Sequence, residues 1–328
     1  SEKKREIFVR KEATTDEKFG CYPEKRKVEY LIQYGIINLN KPSGPTSHVV
    51  ADYVKKILNL DKVGHSGTLD PNVSGVLPIA LGKATRIVQT LLPAGKEYVC
   101  SMRLHKDVDE NRIRSVMEKF IGKITQLPPV KSAVKRQLRE REIYYLNIME
   151  ISGKDVLFRI GCQAGTYIRT VCTGVGKELG IGAHMQQLVR TKAGPFTDRE
   201  WTTLQDLKDA YEFYKEGDEK EIRKCIKPYE TAAEFLPKVW IFDSAVNAVC
   251  NGAEVYVGGV SKFTDVKENE LAAIMTLKNE LVGLGTIKME SDEIMSMKKG
   301  VTVKTDAVFM ERNTYPKFKS TNNQVFKC

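Results

Sequence analysis

The chain has 328 residues, 41% hydrophobic and 29% charged, with 52 Lys and Arg against 42 Asp and Glu for a formal charge of +10. That length holds two domains, or one large one with an appendage, and the composition is that of a globular protein. No apolar run approaches the roughly 20 residues of a membrane span, so no membrane-crossing helix is expected, and the positive charge points to a polyanionic partner such as nucleic acid.

Residues 1–28 read as a charged extension, with Ile7-Phe8-Val9 expected as an edge strand. The opening SEKKREIFVRKEATTDEKFG lacks the apolar core and cleavage site of a secretory signal, so a cytoplasmic protein is expected. GIINLN predicts a buried strand and KPSGPTS a turn leading into a helix, with Thr46 or Ser47 as N-cap. Val50, Tyr53, Val54, Ile57 and Leu58 then fall at helical spacing, which predicts one apolar stripe against a sheet. KATRIVQTLL predicts a second helix, stopped by Pro93. Alternation at Tyr98, Cys100 and Met102, and again at Val156, Phe158, Ile160 and Cys162, predicts half-buried strands. After the second of these, Ile168, Val171, Cys172, Val175 and Leu179 mark another helix.

The stretch DLKDAYEFYKEGDEKEIRKCIKPYETAAEFLPK is charged and helical in pattern and reads as a connector. From about 236 to 312, short strand patterns alternate with glycine turns in AEVYVGGV, ELAAIMTLKNE, LVGLGTIKM and GVTVKT, the signature of a small β-rich domain. Residues 313–328 form a basic tail, expected to be loosely ordered.

Seven scattered cysteines without a C-x-x-C pair support neither a disulfide framework nor a zinc ribbon. Four histidines (48, 65, 105, 184) show no ligand spacing, so no metal site is expected. Gly75 to Lys83 has six residues between its glycines where a phosphate loop has four, and GVGKELG has Leu179 where a dinucleotide fingerprint needs glycine. No cofactor site is expected.

The densest constellation is VGHSGTLDPNVSGVLPIALGKATR. Asp70 stands there between Leu69 and Pro71, and on local chemistry alone it reads as a turn aspartate accepting nearby hydrogen bonds. Further along, QLPPVKSAVKRQLRERE gathers Lys131, Lys135, Arg136, Arg139 and Arg141, either a solvated basic loop or a surface for RNA.

GHSGTLDP followed by SGVLPIALGKATR resembles the catalytic signature of the TruB and dyskerin superfamily of pseudouridine synthases. GIINLNKPSGPTS, KEYVCSMRL and CQAGTYIRTVCTGVGKELGIGAHMQQLVRT resemble three further blocks of that superfamily in the right order, and the C-terminal region resembles a PUA domain. The resemblance implies an α+β (mixed α/β) fold: a catalytic domain over 29–235 with a mixed sheet flanked by helices, then an RNA-binding PUA domain over 236–312. It also implies that the 1–28 extension packs on the PUA domain. It assigns Asp70 as the catalytic carboxylate, Tyr98 as the ring against the target base and Arg169 as a bidentate partner of Asp70 in a desolvated pocket. His65 and Leu188 match pocket positions, and the basic stretch matches a loop that closes on bound RNA.

That loop is short, and the stretch after MRLHKDVDENR lacks an insertion found in bacterial relatives. Both features resemble the archaeal relatives of dyskerin. The resemblance therefore implies an RNA-guided synthase acting in the archaeal cell interior, with a box H/ACA guide RNA, a substrate RNA and three small partners: a Nop-type, a Gar-type and a kink-turn-binding ribosomal-type protein. A stand-alone synthase acting on the tRNA T-loop, and a non-catalytic RNA-binding scaffold, are the alternatives.

Overall fold

The computed structural model describes residues 5–130 and 134–318, in two compact units. Val28–Lys227 form one, and residues before and after that span form the other.

The first unit is built on a mixed sheet. Its strands run in the order Gly35–Lys41, Ser74–Leu81, Ala183–Ala193, Lys96–Leu104, Asp155–Cys162, Arg139–Ser152 and Gly122–Gln126. Every neighbouring pair on that path is antiparallel except Ser74–Leu81 with Ala183–Ala193, which is parallel. The expected alternation holds: Cys100, Met102 and Leu104, and Val156, Phe158, Ile160 and Cys162, are all fully buried. Helix Ile168–Leu179 lays Ile168, Val171, Cys172, Val175 and Leu179 into the same core.

The sheet is almost split in two. Ser74–Leu81 meets Ala183–Ala193 only at Ser74 opposite Val189 and Gly75 opposite Arg190. Gly35–Lys41 occupies one flank from Gly75 to Ala80, and at the far end the second flank, Ile79 to Leu81, pairs with the short strand Val63–His65. Residues 66–73 leave the sheet through the gap between these two contacts, and they carry Asp70.

Three local expectations change. The helix after KPSGPTS runs Ser47–Ile57 with Thr46 as N-cap, its side chain accepting from Val49 N, but its buried stripe is Ser47, Val50, Ala51, Val54 and then Leu58. At 3.6 residues per turn Tyr53 falls about 120° from the centre of that stripe, and it is exposed. KATRIVQTLL is mostly a 3-10 turn, Gly82–Ile87, with one α-turn, Val88–Leu91, and Leu92 is exposed: Pro93 leaves too little chain to extend a costly helix nucleus. The connector is not a spacer either. Helix Leu204–Lys215, started by a capping box between Thr203 and Asp206, and helix Lys220–Cys225 bury Leu207, Ala210, Ile222 and Cys225 in the core of the first unit.

The second unit is a seven-stranded sheet in the order Ile7–Val9, Val260–Thr264, Lys238–Ile241, Leu271–Thr276, Leu281–Ile287, Val301–Val308 and Val255–Tyr256. Ile7–Val9 is an edge strand, antiparallel to Val260–Thr264. Val239, Phe263, Ile274 and Val303 lie in its core. Residues 15–21 are pinned by polar contacts: Lys278 Nζ donates to Thr15 Oγ1 and Asp16 O, both at 2.7 Å, and Cys21 N donates to Glu280 Oε1. The tail is firmer than expected up to residue 318, because Tyr315 is fully buried and donates to Glu280. Residues 319–328 lie outside the described part.

Arg26 and Glu230 form a buried two-bond pair in this unit, Nη1 to Oε1 at 2.6 Å and Nη2 to Oε2 at 2.9 Å, and Glu230 also accepts from Leu281 N. Removing one member leaves the other without its buried counter-charge. Glu230→Ala should lower the unfolding free energy by about 3 kcal/mol; a urea titration that places the variant within about 0.5 kcal/mol of the wild type would contradict it.

Candidate active site

Two groups of interactions fix the loop of Asp70. On one side stands the segment after strand Gly35–Lys41. Ser47 Oγ accepts from Leu69 N and donates to Leu69 O, Gly44 N donates to Pro71 O, and Lys41 Nζ donates to Pro42 O and Pro71 O at 2.8 and 3.0 Å. Within the loop Val73 N closes a turn onto Asp70 O. On the other side the fully buried Arg190 donates from Nη2 to Gly67 O at 2.8 Å.

Arg169 comes from the first turn of helix Ile168–Leu179, whose start is set by Gln126: its Oε1 accepts from Tyr167 N and its Nε2 donates to Tyr167 O. This aims Arg169 Nη2 at Asp70 Oδ2, 3.2 Å away across 99 positions of sequence. The pair is a single contact where two were expected, and both side chains are more than half exposed, not desolvated. It sits where loop and helix start meet at the rim of the sheet, which is open to solvent.

Tyr98 and Arg190 face each other as register partners on neighbouring strands, as do Cys100 and Leu188. Tyr98 is half-buried, and burial raises its phenol pKa, with the Arg190 guanidinium opposing that shift and the Asp70 carboxylate adding to it. Leu188 is buried beside it in the core. His65 ends the short strand Val63–His65; burial first, then His48 and Arg190, hold its pKa below the usual value, so it is neutral at pH 7. The structure thus brings Asp70 and Arg169 into contact and ranges Tyr98, His65 and Leu188 along the strands that bound the gap.

The basic stretch divides. Lys131 lies outside the described residues, Lys135 and Arg136 are exposed in the loop, and Arg139 and Arg141 open the long strand Arg139–Ser152, half-buried. Their Nε atoms have no hydrogen-bond partner among the described residues.

Sequence reasoning missed three buried cations around the site: Lys41, Lys96 and Arg190. Only Lys41, which ends the apolar strand GIINLNK, left a visible signal, since a charge in such a run is expensive without partners. Lys41 has its pKa lowered by burial, which the nearby Asp70 opposes. Lys96 Nζ donates to Leu91 O and Ala94 O at 2.9 and 2.6 Å, and burial, then Arg190, bring its pKa down to about 8.

Comparison with known proteins gives four matches in chain order. They are the DKCLD (NUC011) domain over residues 2–51, the N-terminal domain of the TruB family pseudouridylate synthases over 55–168, the C-terminal domain of tRNA pseudouridylate synthase B over 169–234, and the PUA domain over 237–309. The chain is 56% identical over 318 residues to the probable tRNA pseudouridine synthase B of Pyrococcus abyssi, covering 96% of this chain and 95% of that one. A homologue of the same description from Methanothermobacter thermautotrophicus is 54% identical, covering 94% and 95%. Among solved structures, a chain of a Cbf5-Nop10-Gar1 complex superposes with a TM-score of 0.92 at 55% identity, covering 96% of this chain and 97% of that one. A chain of an H/ACA RNP bound to a substrate RNA containing 2'-deoxyuridine does so at 0.91 and 54%, with the same coverage.

The lowered pKa of Lys96 has a thermodynamic consequence. Below about pH 8 the lysine is charged both folded and unfolded, and the fold bears the cost of burying it. Between about pH 8 and the unfolded value of 10.5 the folded state sheds the proton while the unfolded chain keeps it, so stability rises with pH across that window. Urea unfolding at pH 7, 9 and 10 should show this gain in the wild type relative to Lys96→Met; parallel curves for the two proteins would contradict it.

Proposed function

The chain belongs to the TruB family of pseudouridylate synthases, and on that premise we propose that it converts uridine to pseudouridine in RNA as the catalytic subunit of a box H/ACA ribonucleoprotein. The observation that carries the chemistry is the Asp70 carboxylate beside the Arg169 guanidinium at the mouth of the split sheet. The reaction breaks the bond from ribose to N1 of the base and makes a bond from ribose to C5. The proton on C5 is lost and N1 gains one, so atoms and electrons balance without redox change or energy input.

In this reading Asp70 acts as nucleophile or base. Arg169 keeps it aimed, and the single contact of the free protein leaves the guanidinium further donors for RNA. Tyr98 stacks on the base, while His65 and Leu188 line its pocket. The target nucleotide must leave its stack, at a cost of a few kcal/mol. Backbone contacts from Lys131, Lys135, Arg136, Arg139 and Arg141 and from the PUA domain offset that cost. Entry of the nucleotide would also remove water from the exposed pair, strengthening it.

Guidance is supported by the near-complete likeness to chains that were solved with Nop10, with Gar1 and with a substrate RNA. We take Nop10-like, Gar1-like and kink-turn-binding proteins, a guide RNA and a substrate RNA as the partners, and the cell interior as the location; among the described residues no helix is long and apolar enough to cross a membrane. A second reading, action on tRNA without a guide, is favoured by the description of the archaeal relatives as probable tRNA pseudouridine synthases.

Asp70→Asn keeps volume but removes the ionised oxygen. It should abolish pseudouridine formation while RNA affinity stays within about threefold of the wild type, and measurable turnover by the purified variant would refute the assignment. Guidance is tested by single-turnover modification of one RNA with a matched guide, a mismatched guide and none. The matched guide should raise the rate by orders of magnitude, because pairing supplies effective molarity; equal rates in all three favour the guide-free tRNA reading.

A further inference from the structure

Arg190 is the largest fully buried side chain among the described residues. A guanidinium is always charged, so burying it is costly unless its donors are matched. Here they are matched by main-chain oxygens: Nε donates to Val76 O at 2.7 Å and Nη2 to Gly67 O at 2.8 Å. The backbone of Arg190 meanwhile forms the narrow bridge of the sheet. A Cβ on Gly75 would stand 2.1 Å from Arg190 O, and Gly75 holds a φ of +111°, so only glycine permits this approach.

These contacts converge on the site. Val76 follows the bridge residue Gly75 on one half of the sheet. Gly67 lies three residues before Asp70, on the loop that leaves through the gap. Tyr98 is the register partner of Arg190 on the neighbouring strand, where the pairing shifts by a residue between Glu97 and Tyr98. Any apolar residue could fill the volume, but it could not donate to both carbonyls. Lys96 stands close by, its Cε 3.7 Å from where a Cβ on Gly67 would lie, so the floor beneath the loop carries two positive charges.

We propose that Arg190 is a positioning residue for the reaction: it clamps the Asp70 loop, the bridge of the split sheet and the Tyr98 strand into one geometry. The inference rests on the reading of this site as a pseudouridine synthase. The positive floor would also favour the base as it leaves the ribose with a developing negative charge, an effect of fixed charge that costs no reorganisation during the reaction.

The test compares wild type, Arg190→Met, Arg190→Lys and Met117→Ala in the full chain with guide RNA and partner proteins. Met117 is a buried residue of helix Glu110–Glu118, remote from these contacts in the fold's wiring, and controls for lost packing. At saturating RNA, Arg190→Met should lose about 100-fold in single-turnover rate with RNA affinity unchanged, as expected when reacting groups are misplaced. Arg190→Lys, which keeps the charge and donors for one carbonyl, should recover part of that loss, and Met117→Ala should stay near the wild-type rate. In the free protein, amide exchange over residues 66–73 should accelerate in Arg190→Met only. A rate for folded Arg190→Met within threefold of the wild type, a loss matched by Met117→Ala, or unchanged exchange over 66–73 overturns the proposal. Wild-type protein that forms no pseudouridine would refute the proposed function instead, and the exchange comparison would still decide whether Arg190 holds the loop.

Discussion

The constraint on which the first unit depends is the two-residue parallel contact between Ser74-Gly75 and Val189-Arg190. A sheet joined along the whole of Ser74–Leu81 would have no exit for residues 66–73, because every backbone donor and acceptor on that flank would be used by the neighbouring strand. By pairing one flank partly with Val63–His65 and partly with Val189-Arg190, the fold leaves an opening in its own centre. The segment that carries Asp70 is therefore anchored to the sheet at both ends while remaining a loop. That combination suits a carboxylate that must be both accurately placed and reachable by a nucleotide.

Around this opening the interior is cationic. Lys41, Lys96 and Arg190 are all buried, and each donates to backbone carbonyls. Carbonyl dipoles satisfy hydrogen bonds without cancelling a unit charge, so the surroundings of Asp70 stay positive. The formal charge of +10 thus has two parts of different use: exposed residues such as Lys135 and Arg136 that attract a polyanion from solution, and buried ones that act only on groups already in the site.

Much of this was legible in the residues. Period-two alternation located Lys96–Leu104 and Asp155–Cys162, and the helical spacing from Ile168 to Leu179 named its buried face residue by residue, because burial on one side leaves a simple periodic trace. Periodicity failed where several registers were equally apolar: Tyr53 fits a stripe on paper, yet the small Ser47 and Ala51 define the face that packs. Asp70 could be picked out only through its family signature, since its partner Arg169 is 99 positions away and no local rule links them. The expectation of a desolvated two-bond pair came from the same signature, and the exposed single contact corrects it. Arg190 escaped for a different reason: an arginine on an alternating strand looks like the polar face, and only tertiary placement turns it inward.

The second unit is assembled from stretches about 260 positions apart, with Arg5 donating to Asp265 O and Lys278 to Asp16 O. Its sheet edge, Ile7–Val9, is therefore among the first segments made and among the last to find its place. During synthesis the intervening unit, whose core is closed by residues up to Ile226, can fold as the chain emerges, whereas the strand of residues 7–9 has no sheet to join until Val260–Thr264 exists. Closing so long a loop is entropically slow, though the penalty grows only with the logarithm of its length. During synthesis, then, the topology lets the first unit close before the other unit's edge strand can pair, an order set by connectivity instead of by any one interaction.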